Sequence, residues 1–150
     1  MSAPGNLKSF NTLAVDSQAA ELEIVTSVAQ LKKCVSGCDP QRLLILGEGS
    51  NVVLAPQLAE TVIAMRIRGI EIDDHAEHVE LTVAAGENWH ELVMRSVEAG
   101  YCGLENLALI PGSAGAAPVQ NIGVMPSSAY CSKARFSTSM SYFSQFITSP

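Results

Sequence analysis

Short apolar runs, each bounded by glycine, proline or charged residues, recur along the first part of the chain and constrain its fold more than any other feature. They occupy residues 43–46, 61–65 and 79–83, and the last of them alternates strictly between apolar and polar positions. Runs of this length and composition predict β-strands. None approaches the roughly 18 apolar residues that a membrane-spanning helix needs.

Two capped segments, one before and one after these runs, predict helices. Ser27 and Asn88 each stand three residues before a glutamine or glutamate, which is the spacing of a capping box. Apolar residues then repeat at helical spacing until Gly37 and Gly100, where glycine favours the end of a helix. Because strands and helices interleave without a regular β–α–β period, the pattern predicts an α+β fold rather than a doubly wound parallel sheet.

Composition narrows the class of protein. Of 150 residues, 47% are hydrophobic and 16% charged, which is typical of a globular domain with a packed core. The formal net charge of −6 has the wrong sign for binding nucleic acid or an anionic membrane, so neither partner is expected. With no apolar stretch of a secretory signal at the N-terminus, we expect a cytoplasmic protein.

The cysteines and the histidines do not predict a metal site or a catalytic pair. Cys34, Cys38, Cys102 and Cys131 are irregularly spaced, which favours free thiols, although the first two could in principle meet on one helix. The acidic and histidine-rich stretch 73–78 lies between predicted strands and is interpreted as a solvated hairpin turn. His90 has no nearby nucleophile and is expected to be a surface or capping residue.

The last 27 residues, 124–150, differ in composition from the rest. They are rich in serine and aromatic residues and contain no glycine and no acidic residue. Their apolar residues sustain neither a helical nor a strand period, and a flexible C-terminal extension is the alternative to a segment of foreign origin. We therefore place a boundary after residue 123.

The first candidate site is the run Gly47-Glu48-Gly49-Ser50-Asn51, directly after the first apolar run. Two glycines separated by one residue allow positive φ and close backbone approach, so the turn could cradle a phosphate. A simple tight turn is the alternative. The run is not a dinucleotide-binding fingerprint, because no third glycine follows and no helix opens after it.

The second candidate site is the segment 104–123. Its centre, residues 112–117, contains only glycine, alanine and serine, which leaves room for a flat ring system against the backbone. Gln120 and Asn121 offer amide groups to the edge of a heterocycle. A glycine-rich connector between layers is the alternative.

Four blocks in these regions, residues 44–52, 85–90, 103–112 and 118–123, closely resemble the N-terminal part of the UDP-N-acetylenolpyruvoylglucosamine reductases, the MurB family. The opening residues 9–13 are similar as well, so the resemblance covers about residues 5–123. It implies the FAD-binding fold of the vanillyl-alcohol oxidase type, in a monomer. It also implies that NADPH reduces FAD, which then reduces the enolpyruvyl group on UDP-N-acetylglucosamine to give UDP-N-acetylmuramate for peptidoglycan.

The resemblance also implies which residues bind the cofactor. It assigns the FAD diphosphate to Gly47, Gly49, Ser50 and Asn51. It assigns the flavin to a longer set of residues: Ile110, Pro111, Gly112, Gly115, Ala116, Gln120, Asn121, Ile122 and Gly123.

The resemblance ends after Gly123. The family continues there with a segment like Ala-Tyr-Gly-Val-Glu, whereas this chain continues with Val124-Met125-Pro126. The family's Tyr–Arg pair, serine proton donor and late glutamate have no counterpart, so no catalytic residue is assigned. We expect a partial FAD-binding domain, 1–123, followed by a divergent tail that a frameshift would explain. The alternative is a non-catalytic FAD-binding or misfolded fragment.

Overall fold

The chain divides into two units, Met1–Ile67 and Arg68–Pro150, in a computed structural model that describes residues 3–75, 79–101, 103–120, 122 and 134–137. Each unit has its own sheet and its own helix. Cys102, Asn121, Gly123 and Cys131 lie outside the described residues.

The first unit contains a four-stranded sheet in the order β1-β2-β4-β3. The two inner strands, β2 and β4, are parallel, β3 runs parallel to β4, and β1 is antiparallel to β2. The strands are β1 (Ala3–Asn6), β2 (Gln18–Val25), β3 (Leu43–Leu46) and β4 (Gln57–Met65). Short 3-10 helices at Lys8–Phe10 and Pro40–Arg42 lie in the connections.

Helix α1 (Val28–Ser36) begins and ends where its caps predict. The Ser27 hydroxyl accepts a hydrogen bond from the Gln30 backbone N–H, and Gly37 is the C-cap. The Gln30 side chain returns its bond to the backbone N–H of Thr26 at 2.9 Å, one residue before the position that a capping box uses. Cys38 lies beyond the helix, so Cys34 and Cys38 do not share it; both are free thiols.

The core of the first unit lies where the sheet meets the connection between β1 and β2. Leu7 and Val62 are fully buried, and Leu46, the last residue of β3, is 2% exposed. Because β3 and β4 are parallel and Leu46 pairs with Ala64, the chain leaves both strands at the same edge of the sheet. The residues that follow the two strands are therefore neighbours.

The second unit contains a three-stranded sheet in the order β5-β6-β7. Strand β5 pairs antiparallel with β6, and β6 pairs parallel with β7. The strands are β5 (Ile70–Asp74), β6 (Val79–Val83) and β7 (Ala134–Ser137), and 3-10 helices lie at Glu105–Leu107 and Ala114–Ala116.

Helix α2 (Trp89–Glu98) supplies the largest buried side chain of the second unit. The Asn88 side chain caps it by accepting from the Glu91 N–H, as predicted, and Gly100 follows the C-cap with φ +77°. Trp89 is 1% exposed and packs with Leu92, Val93 and the inward residues of β6. The alternation of apolar and polar residues in β6 gives alternate burial, as the sequence predicts.

The structure confirms the α+β class and the three predicted strands, and it adds others. The run 61–65 is the end of a longer strand, β4. Strands β1, β2, β5 and β7 were not predicted, and β7 lies within 124–150, where no period was found. Strands β5 and β6 pair antiparallel on either side of the predicted turn, but Asp73 and Asp74 belong to β5, and residues 76–78 of that turn lie outside the described residues.

Two searches of the described residues bear on the function class. Within them no helix has the length and apolar character needed to cross a membrane. Among the same residues, no three histidine, cysteine or acidic side chains are grouped closely enough to hold a metal ion.

Candidate functional site

The glycine turn, residues 47–51, follows β3 in the first unit. Gly49 is buried, Asn51 is exposed, and Gly47 and Ser50 are half-buried. The turn thus brings all four residues of the predicted diphosphate site together in one short stretch of backbone.

Gly49 is required here for two reasons. Its φ of +67° is unfavourable for any residue with a Cβ. A Cβ at this position would also overlap the carbonyl oxygen of Phe10 and lie 2.7 Å from the Cα of Asn11. The turn is therefore packed directly against the backbone of the segment that precedes β2.

Both glycine carbonyls of the turn accept hydrogen bonds from the protein. A guanidinium N–H of Arg66 (Nη1) donates to the Gly47 carbonyl at 2.9 Å. The Thr12 backbone N–H donates to the Gly49 carbonyl at 3.2 Å, and the Thr12 hydroxyl lies 3.4 Å from the same oxygen. Carbonyl oxygens repel an anion. In this turn the two glycine carbonyls are bonded to donors of the protein, which reduces that repulsion.

A buried asparagine shapes the segment against which the turn packs. The Asn11 side-chain NH₂ donates to the carbonyls of Leu7 and Val15, and its carbonyl accepts from the Val15 N–H. The side chain is 7% exposed, and all of its groups are paired within five residues of chain on either side. Asn11 was included in the sequence analysis only in the stretch 9–13 that resembles the MurB family. A single asparagine in a loop has no sequence pattern that would predict this role.

The second candidate segment lies in the second unit, beside the residues that lead into α2. Backbone bonds join the two stretches: Trp89 N–H to the Gly112 carbonyl (2.9 Å), Ala114 N–H to the Glu87 carbonyl (2.8 Å) and Gly115 N–H to the Ala85 carbonyl (3.0 Å). This ladder fixes the path of residues 112–115.

The small residues of this segment are largely explained by packing within the unit. Ser113, Ala114 and Ala117 are buried, as is Gly112, whose φ is +131°. A Cβ on Gly115 would lie 2.6 Å from the Cβ of Ala85. Close approach to Ala85 therefore accounts for Gly115, and a positive φ accounts for Gly112. Both reasons match the connector alternative and leave the flavin assignment a prediction.

The other predicted flavin residues differ in exposure. Pro111 is exposed, whereas Ile110, Ala116, Gln120 and Ile122 are half-buried. The backbone N–H groups of Gln120 and Ile122 donate to carbonyls of the preceding turn. Asn121 and Gly123 lie outside the described residues, so their assignment is untested.

Trp89 and His90 hold the start of this segment by their side chains. The Trp89 indole N–H donates to the Leu107 carbonyl at 2.9 Å. The Leu109 N–H donates to the ring nitrogen Nδ1 of His90 at 3.2 Å. His90 is thus more than a surface residue: it supports Leu109, whose φ of +65° is rare for a residue with a side chain.

Two carboxylates organise the backbone nearby. Glu87 is 8% exposed, accepts from the Gly69 N–H at 2.7 Å and pairs with Arg68 at 3.1 Å. At Glu105, hydrogen bonds from its own backbone N–H and from that of Gly103 lower the pKa of the carboxyl below its ordinary value. Neither was predicted as a site residue, and both have structural partners here.

A family model described as "FAD binding domain" matches residues 20–141. The chain belongs to the FAD-binding-domain family. The match includes both candidate segments and passes residue 123, and the expected boundary there stays a prediction.

Curated relatives confirm the resemblance on which the sequence analysis rests. A UDP-N-acetylenolpyruvoylglucosamine reductase of Shewanella sp. (strain MR-7) is 46% identical over 125 residues, which are 82% of this chain and 37% of that protein. The protein of the same name from Escherichia coli (strain K12) is also 46% identical, over 79% of this chain and 35% of its own length. This chain therefore spans little more than a third of the relatives it matches.

A solved structure of this kind supports the fold. The UDP-N-acetylenolpyruvylglucosamine reductase (MurB) from Thermus caldophilus superposes with a TM-score of 0.57 at 25% identity. The superposition covers 78% of this chain and 41% of that one. The expected α+β FAD-binding fold is thereby confirmed.

Proposed function

We propose that this chain binds FAD and that the protein to which it corresponds reduces UDP-N-acetylenolpyruvoylglucosamine with NADPH. The observation that carries the proposal is the glycine turn after β3, in a chain of the FAD-binding-domain family, with its two glycine carbonyls bonded to donors of the protein. The names of the relatives at 46% identity supply the substrate.

The glycine turn fits a diphosphate. Its backbone is compact because Gly49 adopts a positive φ and packs against Phe10. The turn contains no bulky apolar side chain, and Ser50 and Asn51 add polar side chains at its end. Compact turns of this kind bind phosphate through backbone N–H groups and hydroxyls. We therefore assign the diphosphate of FAD to Gly47, Gly49, Ser50 and Asn51.

The second segment supplies the proposed flavin contacts. The backbone ladder to residues 85–89 fixes residues 112–115, and the half-buried side chains of Ile110 and Gln120 flank that stretch in sequence. A fixed backbone with small side chains suits a flat ring, and an amide suits a heterocycle edge. Gly123 and Asn121 belong to the same assignment by resemblance.

When bound, FAD would supply the hydride chemistry, taking a hydride from NADPH and delivering it to the enolpyruvyl group. The residues of this chain bind and orient the cofactor, and none is proposed to transfer a proton. The reductase activity is proposed for the whole protein. We also propose that the protein is a monomer, which sedimentation tests. Its proposed location is the cytoplasm, which cell fractionation tests.

A titration of the full chain with FAD tests the binding, and the quenching of flavin fluorescence reports how much FAD is bound. We expect saturable quenching at one FAD per chain. Gly49→Ala should weaken binding at least tenfold, because the added Cβ displaces the turn. Gly100→Ala is the matched control: it also places alanine at a positive φ, +77°, but in open space. No saturable quenching in the wild-type chain would contradict the proposal.

A further inference from the structure

Arg66 lies where the topology of the first sheet brings the end of β4 next to the glycine turn. Leu46 pairs with Ala64 in the parallel ladder, so the residues after them, Gly47 and Met65, are neighbours. Arg66 follows directly, and its backbone N–H donates to the Val25 carbonyl at the end of β2. The base of the side chain is thus fixed by the central strands.

The guanidinium of Arg66 is fixed as well. Its Nη1 donates to the carbonyls of Gly47 (2.9 Å) and Met65 (2.8 Å). Its Cζ lies 5.5 Å from the centre of the Phe10 ring, within the range of a cation–π interaction. Phe10 is also the residue whose carbonyl lies against Gly49. One side chain therefore connects β4, the glycine turn and the segment that supports the turn.

The bond to Gly47 sets the orientation of a peptide plane in the turn. In a trans peptide the C=O and the following N–H point in opposite directions. Because Arg66 holds the Gly47 carbonyl, the Glu48 N–H is directed away from Arg66. The contact also places a permanent positive charge within hydrogen-bonding distance of the turn, and such a charge attracts an anion.

We infer that Arg66 is a positioning residue for the diphosphate of the flavin cofactor. It orients the first peptide plane of the glycine turn and adds a positive charge beside it, without being a catalytic residue. This inference rests on the proposed function, since it requires that the turn bind the diphosphate of FAD. It predicts that Arg66 matters for ligands that carry the diphosphate and little for the flavin ring alone.

The test compares the affinities of the full chain for FAD and for riboflavin, which has the same ring and no phosphate. A general loss of folded protein lowers both apparent affinities by the same factor. The ratio of the two dissociation constants is therefore unaffected by it. In Arg66→Met we expect this preference for FAD to fall about tenfold to a hundredfold, the range for losing a charged hydrogen bond. Riboflavin affinity should change less than about threefold.

Two further variants make the test specific. Arg42→Met is the matched control, because Arg42 also donates to a backbone carbonyl, that of Ala59 at 2.9 Å, but away from the glycine turn. Its preference for FAD should equal that of the wild type. Arg66→Lys keeps the charge and loses the planar guanidinium over Phe10, so its preference should lie between those of wild type and Arg66→Met. It also decides the question if Arg66→Met does not fold.

The outcomes separate the inference from the proposed function. A wild-type chain that binds neither flavin contradicts the proposed function itself. If the wild-type chain binds FAD no better than riboflavin, the assignment of the diphosphate to the glycine turn is wrong. The role inferred for Arg66 is then wrong as well. If the wild type prefers FAD and the folded Arg66 variants keep that preference, the proposed function stands and the inference is wrong.

Discussion

The two candidate segments are held in place by different means. In the first unit, side chains support the glycine turn: Arg66 and Thr12 bind its carbonyls, and Asn11 shapes the segment behind it. In the second unit, backbone bonds hold residues 112–115 against residues 85–89, and the side chains of Trp89 and His90 hold the start of the segment. The first arrangement depends on a few polar groups and the second on the closeness of two backbones.

This difference explains why glycine is needed in each place. Gly49 combines a positive φ with a carbonyl in the space of its Cβ. Gly115 has no positive φ and is needed only because Ala85 is close. Substitutions in the first unit should therefore act through lost hydrogen bonds at Asn11 and through strain and steric overlap at Gly49, whereas substitution of Gly115 in the second unit should act through steric overlap alone.

The largest effect should come from Asn11→Ala. It removes three hydrogen bonds at once: the half-buried Val15 loses the partner of its carbonyl and of its N–H, and the Leu7 carbonyl keeps only its bond from the Phe10 N–H. We expect the free energy of unfolding to fall by about 3 kcal/mol or more. Urea denaturation measures this free energy.

Asn6→Ala is the control for Asn11→Ala. Asn6 is exposed and also bonds through its amide, and its loss should cost less than about 1 kcal/mol. Equal effects at the two sites would contradict the side-chain account of the first unit.

Gly115→Ala should have the next largest effect. Its Cβ would lie 2.6 Å from that of Ala85, so one of the two backbones must move, at a cost of about 1–3 kcal/mol. Thermal denaturation checks this. Gly37→Ala is the control, because its Cβ would meet the carbonyl oxygens of Lys33 at 3.5 Å and Cys34 at 3.8 Å, which are ordinary contacts. If Gly115→Ala is as stable as the control, the close-approach account of the second unit is wrong.

A smaller, local effect is expected at His90. In His90→Phe the Leu109 N–H loses its acceptor, and its hydrogen exchange should become about three- to tenfold faster. His90→Asn keeps an acceptor close to the position of Nδ1 and should restore most of the protection. Exchange measured by NMR at Leu109 decides the matter, and unchanged exchange in His90→Phe would show that the bond contributes nothing.

The smallest effect concerns the pH dependence at Glu105. Backbone N–H groups lower the pKa of this carboxyl in the folded chain, so its ionised form stabilises the fold. That contribution is present above the unfolded-state pKa and is lost as pH falls through the lowered folded-state value. The stability of Glu105→Gln should therefore fall less steeply than that of wild type in this acidic range. Parallel curves from urea denaturation across that range would contradict the prediction.

The sequence predicts local elements well and their partners poorly. Both helix caps and strand β6 follow from residues close in the chain, such as Ser27 with Gln30 and Asn88 with Glu91. Strand β1 was missed because Pro4 and Gly5 are residues that strands disfavour, whereas β2 was missed although its residues 21–24 alternate between polar and apolar side chains. The two glycines after the first apolar run indicated the glycine turn, and the resemblance assigned its residues to FAD. Arg66 could not be found from sequence, since only the parallel register of β3 and β4 brings it to Gly47.

The visible absorption spectrum of the purified full chain, recorded after incubation with FAD and desalting, tests the central claim most directly. If the chain binds FAD as proposed, flavin should remain with the protein, with absorption bands shifted from those of free FAD. A colourless protein would show that the chain does not bind the cofactor, and it would contradict the account.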